Sequence, residues 1–307
     1  MSKLDRIEEL QRLVKNDSTN FQARRQLAVL LMDCGFNEEA LRHLLYLAKT
    51  FGQDDGIFYN LGIVYEKMKQ YTKARDAYIK SLEIAPDALD AIYNLGLVYT
   101  ELKEYAFAIE CFQRIIEDDP QDSNSYFNLG LVYFKQKKYI QAMDNFQKTI
   151  DLNDEDLYAH FYIGNIFKEL GDLDSAKENF EKVIELSPNY SWAYYNLAVI
   201  YYESNDYKSA AENLRKTVEM NPADEEAYKI LVKILIKQDD YYRACEEIQA
   251  ALANCPETGD LYYLAALVYK NIENYPQSEI YFNEAIKNYQ TLSIPVQNVK
   301  EELRKVK

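Results

Sequence analysis

Apolar side chains recur along this chain in steps of three and four: Phe58, Leu61 and Tyr65, then Ala74, Tyr78 and Ser81. Such spacing stacks side chains on one face of an α-helix. The two runs are separated by Met68-Lys69-Gln70-Tyr71, and related runs by Gly171-Asp172 or Ser204-Asn205-Asp206, polar or Gly-bearing stretches that suit a tight turn. The pattern predicts pairs of helices joined by short turns.

The pairs recur at a fixed interval. Tyr59-Asn60-Leu61-Gly62, Tyr93-Asn94-Leu95-Gly96, Phe127-Asn128-Leu129-Gly130 and Tyr195-Asn196-Leu197-Ala198 stand 34, 34 and twice 34 residues apart, with Phe161-Tyr162-Ile163-Gly164 in the gap. Small residues follow in the same phase at Ala40, Ala74, Ala108, Ala142, Ala176, Ala210, Ala244 and Ser278. Proline closes most units at Pro86, Pro120, Pro188, Pro222 and Pro256, where it stops the second helix. Gly62 and Ala74 are expected where the two helices of a pair approach closely, with Tyr65 and Tyr78 filling the space beside them. Tyr65, Tyr99, Tyr133 and Tyr201 are read as core.

Small residue, aromatic, alanine, aromatic and proline at these intervals in 34-residue units resemble the tetratricopeptide repeat (TPR). The resemblance implies an all-α fold, a right-handed α-solenoid (superhelix) of helix-turn-helix repeats with capping helices. Its units are 21–54, 55–88, 89–122, 123–156, 157–190, 191–224, 225–258 and 259–292, flanked by capping helices in 1–20 and 293–307. Leu4, Ile7, Leu10 and Val14 form the apolar stripe of the first cap, and Val296, Val299, Leu303 and Val306 that of the second. Because stacked repeats share one continuous core, no internal linker is expected. Some positions depart from the pattern: Arg24 and Leu31 replace aromatics in the first unit, and Val232 and Ala265 stand where Gly and Leu are usual.

Composition narrows the function. Fifty acidic against 35 basic residues leave a net charge of −15, which argues against a phosphate backbone or an anionic membrane surface as the main partner. Two histidines, His43 and His160, supply neither a zinc cluster nor a His-centred triad. His160 occupies the packing slot of Phe58, Tyr126 and Tyr194 and reads as a core histidine. Cys34, Cys111, Cys245 and Cys255 lack metal or redox spacing and suit a reducing compartment. The acid run from Asp151 to Asp156 lacks the spacing of an EF-hand loop and reads as helix-capping chemistry. The first ten residues mix acids and bases without an apolar segment, so the chain reads as cytoplasmic, non-enzymatic and without cofactor or metal.

In the family, first helices line the concave side of the superhelix. The expected lining is Tyr59, Ile63 and Glu66; Tyr93, Leu97 and Thr100; Phe127, Leu131 and Phe134; Phe161, Asn165 and Lys168; and Tyr195, Val199 and Tyr202. Beside it runs an amide column, Asn60, Asn94, Asn128 and Asn196, interrupted by Tyr162. A side-chain amide pairs with a peptide's C=O and N–H, so such a column could hold an extended backbone, with the rings supplying apolar anchors. This is similar to the asparagine ladder in the repeats of the O-linked N-acetylglucosamine transferase. The competing reading has each Asn bonding locally between repeats to orient successive helices. The carboxylate clamp of another TPR subgroup is not expected, because Phe161 and Ile230 stand where its Lys and Arg belong, although Lys229 and Lys233 offer a weaker contact. The function expected is a module that binds a partner polypeptide in the groove as adaptor or scaffold. The alternative is a self-associating, homo-oligomeric assembly scaffold or chaperone-type factor that uses its ends or convex face.

Overall fold

A computed structural model describes residues 2–256 and 258–306. Met1 and Lys307, which close the two expected capping segments, and Glu257 in the seventh unit lie outside the described residues. Helix α1 (Lys3–Asn16) is followed by pairs α2 and α3 (Phe21–Asp33, Asn37–Thr50), α4 and α5 (Asp55–Lys67, Tyr71–Ile84), α6 and α7 (Leu89–Glu101, Tyr105–Asp118) and α8 and α9 (Ser123–Lys135, Tyr139–Leu152). Pairs α10 and α11 (Leu157–Leu170, Leu173–Leu186), α12 and α13 (Ser191–Glu203, Tyr207–Met220), α14 and α15 (Glu225–Lys237, Tyr241–Asn254) and α16 and α17 (Gly259–Asn271, Tyr275–Lys287) come next, then α18 (Val296–Arg304). No strand occurs among the described residues, and the fold is an all-α tandem of helix pairs.

Most helix starts follow from capping. Asn20, Asp54, Asp122, Asp156, Asp224 and Thr258 each accept a backbone N–H at the start of a first helix, and Asp172, Asp206, Asp240 and Asn274 do so for second helices. The acid run ending at Asp156 is thus used in part for a cap, with Asp156 Oδ1 accepting from the Ala159 N–H at 2.9 Å. The turn inside each pair depends on one left-handed residue. Gly35, Lys69, Lys103, Lys137, Gly171, Asn205, Asp239 and Glu273, spaced by 34, all have φ between 57° and 82°. A non-glycine residue there costs roughly 1–2 kcal/mol, so six of the eight turns hold backbone strain that helix packing must outweigh.

Packing explains the small residues. A Cβ on Gly62, Gly96, Gly130 or Gly164 would lie 2.4, 2.9, 2.8 or 3.0 Å from the ring of Tyr78, Phe112, Phe146 or Phe180, residues on the second helix of the same pair. Each ring is fully buried. Where the glycine position holds Ala28, Ala198 or Val232, the ring position holds Leu44, Leu214 or Ile248, an exchange of volume across the contact; the last pair departs from it, with Ala266 and Phe282 both fully buried. Ala265, at a position usually Leu, is fully buried. The alanines from Ala40 to Ala244, and Ser278, have no solvent exposure.

The chain divides into two compact units, Met1–Asp154 and Glu155–Lys307. In the first, one core joins α1 to the two following pairs through Ile7, Leu10, Leu27, Leu44, Leu61 and Val64, and others continue through Tyr78, Leu95, Phe112 and Leu129. In the second, Phe180 and Leu197 lead into a larger core around Leu214, Leu231, Ile248 and Leu264, and Val299, Leu303 and Val306 close on Phe282. Leu4, expected in the first cap's stripe, is 59% exposed, because it lies one turn before Ile7 and reaches no neighbouring helix core. Tyr65, Tyr99, Tyr133 and Tyr201 are half-buried rather than core, since their rings lie along the margins of these clusters.

Candidate peptide-binding face

In the first unit, the rings expected to face a partner lean on the buried rings behind them. Tyr59 lies 5.9 Å from Tyr78, Tyr93 5.9 Å from Phe112 and Phe127 5.6 Å from Phe146, centroid to centroid. All three remain half-buried, so one part of each ring is core and the rest is surface. Thr100, assigned to the same face, is buried and donates back to the Gly96 carbonyl at 2.9 Å. Glu66 accepts from the Tyr78 hydroxyl at 3.1 Å, and burial holds its carboxyl above the ordinary range against that bond.

The amide and aromatic columns prove to be bonded to each other. Asn94 Nδ2 donates to the Tyr59 hydroxyl at 3.2 Å, and Asn128 Nδ2 donates to the Tyr93 hydroxyl at 2.8 Å and to the Asn124 carbonyl at 2.9 Å. Each bond to a tyrosine therefore joins one repeat to the next, as the local reading of the amides expects for their donors. Their Oδ1 atoms take no hydrogen bond among the described residues, and Asn60, preceded in register by Arg25 rather than a tyrosine, makes none at either end. Burial raises the Tyr93 hydroxyl above the ordinary phenol range, partly offset by the Asn128 donor. A cleft of about 320 Å³ opens here between Tyr93, Leu89, Ile115 and the carboxylates Asp90, Asp119 and Asp122.

The second unit differs. Asn196 departs from an outward-facing amide: it is 5% exposed, its Oδ1 accepts from Lys168 Nζ at 2.5 Å and its Nδ2 donates to the Trp192 carbonyl at 2.8 Å. Both ends are engaged because Lys168 on α10 reaches across to α12, and burial lowers the Lys168 ammonium below its ordinary range. Asn165 donates to the Phe161 carbonyl within its own helix at 2.9 Å. Phe161 packs 5.8 Å from Phe180 and 5.4 Å from Tyr190, and Tyr195 lies 6.2 Å from Trp192. His160 Nδ1 pairs with Asn179 Oδ1 at 3.3 Å, a half-buried packing role. Lys229 is neutralised by Glu225, Glu226 and Asp260, so it offers no free charge to a partner's carboxylate.

Two features escaped the sequence reading. Tyr158 and Trp192, one repeat apart, are 52% and 55% exposed beside the rings above. They lie just before the helix positions compared in the sequence, and aligning the units one turn earlier would have shown them. The second is a cavity of about 200 Å³ lined mainly by Lys229, Lys233, Ile236, Tyr263, Leu267 and Ile294. It exists because the connection after α17 runs through a 3-10 turn at Tyr289–Thr291 instead of four residues, and Asp260 grips the Ser293 N–H and hydroxyl at 2.7 and 2.9 Å. That register break has no signature in the repeat pattern.

The four cysteines are free thiols, and burial pushes Cys111 up to about 12. Among the described residues, no group of three or more His, Cys, Asp or Glu side chains could hold a metal ion, and no helix is long and apolar enough to cross a membrane.

Residues 55–121 and 87–155, 167–234 and 259–291 match families described as tetratricopeptide repeat. Among solved structures, MamA from Desulfovibrio magneticus RS-1, from residue 41 to its end, is 27% identical with a TM-score of 0.53, covering 56% of this chain and 97% of that one. A tetratricopeptide repeat protein from Parabacteroides merdae ATCC 43184 is 14% identical with a TM-score of 0.55 over 82% of this chain and 98% of its own. PilF of Pseudomonas aeruginosa is 18% identical with a TM-score of 0.57 over 71% and 98%. At those identities the last two speak for the fold alone. The curated proteins hold no match. By its repeat register, its helix pairs and these matches, the chain belongs to the tetratricopeptide-repeat family.

Proposed function

We propose that this chain is a non-enzymatic cytoplasmic adaptor or scaffold that binds a segment of a partner polypeptide along the outward faces of its first helices. The observation that carries this reading is the bonded lattice of Tyr59, Asn94, Tyr93 and Asn128. It holds half-exposed rings and open amide carbonyls in fixed positions before any partner arrives. Preorganised side chains lose little entropy on binding, so such a face favours association. The Oδ1 atoms of Asn60, Asn94 and Asn128 would accept backbone N–H groups of the segment, with Tyr59, Tyr93 and Phe127 as apolar anchors. In the second unit, Phe161, Tyr195 and Asn165 would offer a corresponding face, with Asn196 buried beneath it.

The test separates recognition from inter-repeat bonding. Asn94→Ala with Asn128→Ala removes the amides and the bonds between repeats; Tyr59→Phe with Tyr93→Phe removes only the bonds. Affinity capture from the native lysate, read by mass spectrometry after circular dichroism confirms folding, compares both with wild type. The amide variant is expected to weaken partner binding by roughly 1–3 kcal/mol, while the phenylalanine variant retains the partner. Equal retention by both would move the binding surface off this face, and equal loss would reduce the amides to a structural role.

A further inference from the structure

One position of the first helix changes character along the repeat array. Residues 34 apart at this position are Gln22, Gly56, Asp90 and Asn124 in the first unit, then Tyr158, Trp192, Glu226 and Asp260 in the second. The two aromatic members leave over half of each side chain to solvent. They are nevertheless held in place: Tyr190 lies edge-on to Tyr158 at 6.0 Å, and Tyr195 edge-on to Trp192 at 6.2 Å. Large rings fixed by neighbouring rings yet left open to water form a recognition surface rather than a core.

Charge selects what it recognises. An aromatic face carries a negative quadrupole and attracts a cation. Glu226 and Asp260 continue the same column, and Glu155 and Asp156 precede α10. On the same helices, Lys168 donates to Asn196 and Lys229 is paired with Glu225, Glu226 and Asp260. The chain as a whole carries −15. We infer that the Tyr158 and Trp192 strip docks an extended, arginine-bearing segment of a partner polypeptide, guanidinium groups lying over the rings and toward Glu226. This inference rests on the first-helix-face reading above and names the chemistry of the segment bound there.

Trp192 is the only tryptophan, so its emission reports on the strip directly. The full chain is titrated with an acetylated, amidated peptide of alternating glycine and arginine, and with the matching glycine and glutamate peptide. The arginine peptide is expected to shift Trp192 emission saturably and the glutamate peptide to leave it unchanged. Tyr158→Leu, which keeps apolar area but removes the ring, should weaken the arginine peptide roughly fivefold. Tyr158→Phe, and Tyr242→Ala at an exposed ring on α15, should leave it unaltered. An unmoved Trp192, equal response to both peptides, or equal affinity of Tyr158→Leu and wild type would overturn the inference, the last reducing binding to cation condensation on an acidic surface. If capture still depends on Asn94 and Asn128 when the peptide fails, only this inference falls. If the peptide docks while capture ignores those amides, the first-unit contacts fall and the strip stands.

Discussion

At the scale of single residues, the repeat is a set of volume exchanges. Gly130 has no side chain because the Phe146 ring occupies the place a Cβ would take, at 2.8 Å. Ala198 tolerates its methyl because Leu214 stands where the Gly62, Gly96, Gly130 and Gly164 repeats carry a ring. In an unobstructed helix, Gly→Ala gains about 1 kcal/mol. Here Gly130→Ala should instead lose roughly 1–3 kcal/mol through overpacking, and adding Phe146→Leu should recover much of that loss by copying the Ala198 and Leu214 pair. Urea denaturation of the wild type and both variants checks this; a single alanine variant more stable than wild type would refute the packing argument. The glycine, alanine and aromatic positions were legible in the sequence because volume conservation leaves its trace in residue type. The left-handed turn residues were not, because lysine, aspartate or glutamate at that point carries no mark of positive φ.

At the scale of elements, the first pair solves its missing aromatic differently. Arg24, on α2, is 9% exposed, lies 4.0 Å over the Tyr46 ring and donates to His43 Nδ1 on α3 at 3.1 Å. Since arginine can only donate, His43 accepts there as a neutral imidazole. Burial first, then Arg24, lower the His43 pKa; Glu39 opposes and Arg42 adds to the lowering. A depressed native pKa means that the unfolded chain binds the proton more readily. The stabilisation is therefore complete above the unfolded histidine value of about 6.5 and is lost as pH falls below it. Against His43→Gln, wild type should show a larger fall in melting temperature between about pH 8 and pH 5; parallel profiles would show that the pair does not report proton binding. The sequence showed Arg24 as an exception and His43 outside any zinc cluster or triad, but not that the two meet, because their contact joins separate helices.

At the scale of the molecule, each repeat buries its apolar face mainly against its neighbours, so stability is passed between adjacent repeats. Gly62→Ala, which would press on Tyr78 at 2.4 Å, should accordingly raise amide hydrogen exchange most in α4 and α5, less in α6 and α7, and least in α16 and α17. Exchange mass spectrometry on the full chain reads this gradient. A uniform increase across all helices would instead describe one all-or-none unit. The acidic surface, Lys229's three carboxylates and the arginine-selective strip belong to this scale too, since each is assembled from residues on successive helix pairs.

Periodicity alone determined that this is an all-α array of 34-residue helix pairs, and that its glycine, alanine and facing ring or aliphatic positions meet inside each pair. Each repeat is a local structure whose helical spacing and packing volumes are written in residue order. Only the tertiary structure decided which side chains on the first helices remain available. Asn94 and Asn128 spend their donors on the preceding tyrosines, Asn196 is buried under Lys168, and Tyr158 and Trp192 stay open. Those outcomes turn on hydrogen bonds and ring contacts between helices, which depend on distances that a repeat of residue types does not encode.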